Sequence, residues 1–419
     1  MTSSPTPNWP IPLLRLDGPL RSRLALAGLV CSLSLGAWAH EESTSVPDEP
    51  GWRLGASAAL ADVRASRALP SQKMSGYLLR GDSGVDRRDS ALEHAVLEAA
   101  WRISPQWSSY VAVGQHDSDP AHTEAAWVRY QWAPSATGAW SLQAGRSRPQ
   151  LGPVMTQAGH MDRFSLMPLA KRLAADGDGI DDGVQVSGQR EWGEWTANMD
   201  AGLWQGRTFP GSAGAASAPS VHLGLARGDW RADAFVAWFR PEGRGSLVQS
   251  STGAHTHNAP DCSSLQSGVL CFAGRSQLSG ASLQWASHDW PVTAQAAYVQ
   301  RQDEGMLRSV NGLADHTGKN QGGWLQALWQ ITPDWTVGAR SERVRAQLAL
   351  TGAGASLLAQ EAGLTGSAPL RRDTALLSWQ VHPLVSLSAE TGREQQGGQT
   401  IHFSSLRAVF RISAAGPAF

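Results

Sequence analysis

Residues 322–343 read GGWLQALWQITPDWTVGARSER. Leu325, Ala327, Trp329 and Ile331 alternate with Trp324, Gln326, Leu328 and Gln330. Thr332, Pro333 and Asp334 interrupt the pattern, and Trp335, Val337 and Ala339 then alternate with Thr336, Gly338 and Arg340. A period of two on both sides of a short Pro/Asp turn defines a β-hairpin with one apolar face and one wet face. Trp329 and Trp335 flank the turn on the apolar face, which puts two indoles at one end of the hairpin, as at a membrane–water boundary.

The same unit recurs along the chain. Short turns fall at residues 104–106, 134–138, 191–195, 227–230, 288–291, 332–335 and 381–384. Each is flanked by alternating segments, such as Ala95, Leu97, Ala99 and Trp101 against His94, Glu98 and Arg102. One further strand begins near Trp52, and a last one sets Leu406, Ala408, Phe410 and Ile412 against Ser405, Arg407 and Arg411. Seven hairpins and two terminal strands predict sixteen. Strands of about 10 residues suffice to cross a bilayer when tilted. The expected fold is all-β: a transmembrane antiparallel barrel with short periplasmic turns and eight longer outer loops. An even number of strands closes the sheet without an edge, as lipid demands. A soluble sandwich or propeller would bury its tryptophans rather than align them beside the turns.

Residues 24–39, LALAGLVCSLSLGAWA, follow Arg15, Arg21 and Arg23 and end in AWA before His40. Basic start, short apolar core and small-residue end predict a secretory signal peptide over 1–39. A short periplasmic segment (40–51) and the barrel (52–419) would follow. The 419 residues carry a formal net charge of −1, with only three lysines (Lys73, Lys171, Lys319) beside many arginines. A near-neutral chain gives no argument for nucleic acid. After export Cys262 and Cys271 remain, an even pair that reads as a disulfide in an oxidising compartment.

At this level the chain resembles the sixteen-stranded outer-membrane porins of Gram-negative bacteria. Within them it looks closest to the phosphate-selective superfamily, through LQAGRSRP at 142–149 and DDGVQVSG at 181–188 with a long third loop between. The resemblance implies a homotrimer, a C-terminal Phe (Phe419) that signals to the barrel-assembly machinery, and a third loop folded into the lumen. Two departures stand out. The residues before Phe419 do not alternate, so the tail past Ile412 is expected to leave the barrel. Lysine is nearly absent, so phosphate specificity is not implied.

Pore-facing candidates on the strands are Arg102, Arg129, Arg146, Arg231, Arg340, Arg407 and Arg411, against Glu98, Asp200, Asp233 and Glu390. The third loop, about 150–182, offers Asp162, Arg163, Lys171, Arg172, Asp176, Asp178, Asp181 and Asp182. An acidic loop opposite a basic wall would set a transverse field; alternatively, the charges pair with one another and keep the lumen wet. The DGDGIDD run at 176–182 lacks the bidentate Glu of a calcium loop and reads as a turn.

His116, His122, His160, His255, His257 and His316 fall in or beside outer loops. Among them, His255 and His257 are the weak metal candidates, since imidazoles bind Zn²⁺ or Cu²⁺. No cofactor is called for. The leading expectation is a passive channel for small hydrophilic solutes with weak anion preference, not an enzyme. The alternatives are a barrel enzyme using Asp117, Asp119 and His122, an adhesin, or a metal-uptake porin.

Overall fold

The computed structural model describes residues 45–417, except 75, 80–89, 116–119, 136, 153–154, 156–161, 177–178, 215–216, 248–260 and 365–367. Seventeen strands and three short helices are named here in chain order. They are β1 (Gly51–Ala65), α1 (Pro70–Lys73), β2 (Ser90–Arg102), β3 (Trp107–Gln115), β4 (His122–Ser135) and β5 (Gly138–Ser147). Next come α2 (Leu169–Ala175), β6 (Asp181–Trp192), β7 (Trp195–Trp204), β8 (Ala218–Arg227), β9 (Trp230–Phe239) and β10 (Glu242–Leu247). The chain continues through β11 (Val269–Ala286), β12 (Val292–Ser309), β13 (Gly312–Gln330), β14 (Trp335–Thr351), α3 (Ala355–Glu361), β15 (Leu370–His382), β16 (Val385–Gln396) and β17 (Gln399–Pro417).

Every strand runs antiparallel to its neighbours, and β1 pairs with both β2 and β17, which closes the sheet. β9 and β10 lie one above the other along β11, meeting its lower and upper parts in turn. They are one stave broken at Arg240 and Pro241, because proline cannot donate to the ladder. The barrel therefore has sixteen staves, and all seven short turns fall where the sequence puts them.

The tail beyond Ile412 does not leave the barrel. Gly51 is paired with Pro417 and Gly55 with Ser413, so residues 413–417 finish the closing seam. Ladder hydrogen bonds use backbone alone, so a stretch without alternation can still pair. Phe419 lies outside the described residues. The opposite connections also differ from expectation, since two of the eight are tight. β12 passes to β13 through Val310 and Asn311, and β16 to β17 through Gly397 and Gly398, both in left-handed conformation. The polar sequence expected there as loop continues the ladder instead, in strands of 18 and 19 residues for β12 and β13.

Exposure is inverted relative to a soluble protein. Leu97 (67%), Leu325 (66%) and Leu406 (62%) face outward, whereas Arg301, Arg340 and Arg244 are among the most buried side chains. Outward aromatics gather at the short-turn end, with Trp335 stacked on Trp379 at 5.3 Å and Trp107 beside Tyr130 at 4.9 Å. An outer apolar band bounded by aromatic rings is the surface a bilayer requires.

Candidate functional site: the lumen

Inside the barrel, the inner wall has two regions of different character. Met74, Tyr77 and Leu79 (after β1), Leu151, Met155 and α2 (between β5 and β6) and Phe209 pack on the inner faces of β9 and β11–β15. There Met74, Leu169, Leu173, Phe235, Val299 and Trp324 share one apolar cluster. The third loop thus folds inward, and all of α2 is buried.

Charged side chains on the staves hold this loop by its backbone. Arg301 donates to Leu173 O (2.7 Å) and Leu78 O (2.6 Å), Arg340 to Leu166 O, Arg372 to Met167 O (2.8 Å), and Arg407 to Asp162 O. Carboxylates take the loop's amides: Glu342 accepts from Leu169 N (2.6 Å) and Glu390 from Ser165 N (2.6 Å). Glu394 takes Ser71 N at 2.8 Å. The same ions pair along the wall: Arg301 with Asp303 (3.0 Å), Arg340 with Glu342 (2.9 Å), Arg372 with Glu394 (2.8 Å) and Arg407 with Glu93 (2.6 Å). A guanidinium has five donors in a fixed fork, so it can serve a carboxylate and a carbonyl together.

Of the residues singled out from sequence, Arg340 and Arg407 belong to this clamp rather than to a solvent-facing wall. Lys171, Arg172 and Asp176 are buried with it; Arg172 bonds Ser71 O and lies 3.8 Å from Asp176. Asp181 is also buried and accepts the amides of Gly206 (2.6 Å) and Arg207 (3.2 Å), fixing the fourth loop. Burial raises the Asp162 carboxyl above its ordinary range, partly offset by Arg340, Arg407 and Lys171. Asp178 falls outside the described residues.

The remaining inner wall carries a looser set. Glu98 accepts from Tyr110 Oη at 2.9 Å. Arg129 lies 4.4 Å over the Trp127 ring and donates to Gln143 at 2.6 and 3.0 Å. Arg102 reaches Gln131 at 3.0 Å. His222 sits between Asp200 (2.8 Å) and Asp233 (2.9 Å), with Arg231 closing on Asp233 at 2.9 Å. Arg102, Arg129, Arg231 and Arg411 keep partial exposure on the inner face, and Arg163 is exposed on the loop.

Two expectations need correction. Arg146 shares the outward phase of Leu142 and pairs with Asp182 at 3.4 Å, so Arg146 leaves the pore-facing set and Asp182 the constriction-loop set; strict alternation from Leu142 and Ala144 carries Arg146 outward. His316 is no surface ligand: it is buried in β13 with its ring edge-on to Phe272. His122 faces Glu124 at 3.9 Å, while His116, Asp117, Asp119, His160, His255 and His257 lie outside the described residues. Among the described residues no cluster of three His, Cys, Asp or Glu could hold a metal. Cys262 and Cys271 are bonded, with their Cα atoms 5.9 Å apart.

Sequence reasoning missed Arg301, Arg372, Glu342, Glu394 and Asp303. A signal was present: Arg231/Asp233, Arg301/Asp303 and Arg340/Glu342 repeat Arg-x-acid, and residues two apart on a strand share a face.

Similarity to solved structures is confined to this architecture. OmpF of Salmonella typhi superposes with a TM-score of 0.55 at 9% identity, covering 87% of this chain and 98% of that one. OmpT, an outer membrane protein of Vibrio cholerae, gives 0.54 in its trimer form at 10% identity, over 87% and 100%. An anion-selective porin from Comamonas acidovorans gives 0.50 at 9%, over 86% and 98%. No family model matches the sequence, and no curated protein does. The fold is that of the sixteen-stranded outer-membrane porins and channels.

Proposed function

We propose that the chain is an outer-membrane porin, a passive diffusion channel for small hydrophilic solutes with a weak preference for anions. The observation that carries this reading is the inner wall. One region is occupied by a loop that the staves hold in place, and the polar residues that keep exposure include Arg102 and Arg129 on the uncovered wall, Arg411 on β17 and Arg163 on the loop itself. Charged rings at a constriction set selectivity, and arginines favour anions. Glu98, Asp200 and Asp233 on the same wall moderate that preference.

The remaining expectations belong to the same proposal. Residues 1–39 act as a signal peptide, 40–51 as a short periplasmic segment, and the short turns face the periplasm. The barrel-assembly machinery inserts the mature chain, and three copies associate in the outer-membrane lipid; the trimer form of the Vibrio cholerae protein supports that stoichiometry. Residues 142–147 lie on β5 and 181–188 on β6, enclosing the inward loop; kinship with the phosphate-selective superfamily is part of the same proposal. Catalysis has no part in this reading.

The test is a planar-bilayer recording of the purified protein under a salt gradient. Stable steps with a reversal potential on the anion side are expected; absence of conductance overturns the channel, and a cation-side potential overturns the arginine assignment.

A further inference from the structure

The outer face of β13–β16 departs from the apolar band around it. Arg343 stands directly opposite Arg371 across β14 and β15, and both side chains are exposed. Directly opposed like charges destabilise a strand pair. Among the described residues, neither has a carboxylate within salt-bridge reach. Nearby, Arg345 faces Gln321, and Arg393 is taken up by Asp373 at 3.0 Å. Asp373 in turn accepts from Ser341 at 2.8 Å. The patch thus presents more positive charge than its one outward carboxylate offsets.

Its height is informative. Arg343 lies eight residues above Trp335 and Arg371 eight above Trp379, the two stacked indoles at the short-turn end. At about 3.3 Å per residue and a tilt of about 40°, that is roughly 20 Å along the membrane normal, near the upper edge of an apolar band of about 25 Å. Arginine stems of this length carry their heads further toward the interface. Below the pair, Leu325, Ala327, Ala339 and Ala375 line a shallow outer groove of about 900 Å³. Small side chains there, between larger Leu and Trp neighbours, leave room for hydrocarbon.

We infer that this face is a binding site for a phosphorylated lipid of the outer leaflet, with phosphate held by Arg343 and Arg371 and acyl chain laid along the alanine groove. A phosphate bridging two guanidiniums turns the repulsion between them into paired charge-assisted hydrogen bonds. The inference rests on the outer-membrane reading for the orientation of the barrel. Conductance recorded on the same variants separates the two, since a channel without the lipid site still conducts.

The experiment is native mass spectrometry of the full mature protein in detergent. Diphosphorylated lipid A, its monophosphorylated form and inorganic phosphate serve as probes. The variants are the R343Q/R371Q double mutant and, as control, Arg275→Gln, whose partner Glu304 lies at 2.7 Å in another exposed pair. Wild type and the control should retain the diphosphorylated lipid, with affinity falling about thirtyfold in the double mutant. The lipid should raise the unfolding temperature of wild type and leave that of the double mutant unchanged, a readout that requires only folded protein. Equal lipid binding by both overturns the site. Competition by millimolar inorganic phosphate as effective as the lipid makes it a free-anion site and overturns the lipid assignment. Disulfide cross-linking between protomers by Arg343→Cys makes the face a subunit contact, and the inference fails.

Discussion

The wall of β12–β17 and the wall of β2–β9 carry similar residue types and use them differently. On the first, Arg301, Arg340, Arg372 and Arg407 are almost wholly buried and spend their donors on carbonyls of the inward loop and on neighbouring acids. On the second, Arg102, Arg129 and Arg231 keep partial exposure and lean on glutamine, tryptophan and aspartate of their own wall. An arginine on the inner face of this barrel is therefore a fastening where the loop covers it, and keeps exposure to the lumen where the loop does not. Position in the strand alternation is the same in both cases; the covering loop makes the difference.

Arg340→Ala should break the contrast most. It strips Leu166 O of its donor and leaves Glu342 with Leu169 N and the more distant Arg372, 3.4 Å away. Removing one partner of a buried pair costs about 3–5 kcal/mol. Urea unfolding of the folded barrel should show that loss, and single-channel conductance should rise as the loop loosens. The R340M/E342M double mutant sharpens the point: replacing both members of the pair should recover much of the stability lost in the single mutant, read by the same titration.

On the other wall, Arg129→Glu should leave unfolding nearly unchanged and shift the reversal potential toward cations. An unfolding loss as large as that of Arg340→Ala would erase the distinction between the walls. Acidification acts in the opposite direction. Burial holds the Asp162 carboxyl above its ordinary range, so as pH falls it takes up its proton before ordinary carboxylates do and removes a negative charge from the loop. Anion preference, measured as reversal potential from neutral to mildly acidic pH, should increase, and the Asp162→Asn variant should show less of that change. The smallest effect is expected at the exposed Arg275–Glu304 pair, whose charge removal should alter stability by about 0–1 kcal/mol in a double-mutant cycle.

The wall was legible in the sequence because lipid outside and water inside enforce a period of two, and Trp beside each turn marks the end of each stave. The tight connections at 310–311 and 397–398 were not separable from the eight longer loops expected, because polar strands standing above a membrane lose the apolar half of the alternation. The inward loop was anticipated by resemblance, but its fastening was not. Arg340 and Arg129 look equivalent in sequence, both on the inner phase of a strand, and only packing by a loop more than a hundred positions away buries Arg340 and leaves Arg129 half-exposed. Arg146 teaches the reverse lesson: alternation already placed it outward, whatever its charge suggested.

The bonds that hold the inward loop also set a timetable. Leu169 meets Glu342 across 173 positions of sequence, Ser165 meets Glu390 across 225, and Asp162 meets Arg407 across 245. None of these partners exists until the last third of the chain has been delivered, and contacts of such separation form late and slowly. The loop can therefore be fastened no earlier than β14, β16 and β17 arrive, so the lumen takes its final shape only once the strands that close the sheet are also present.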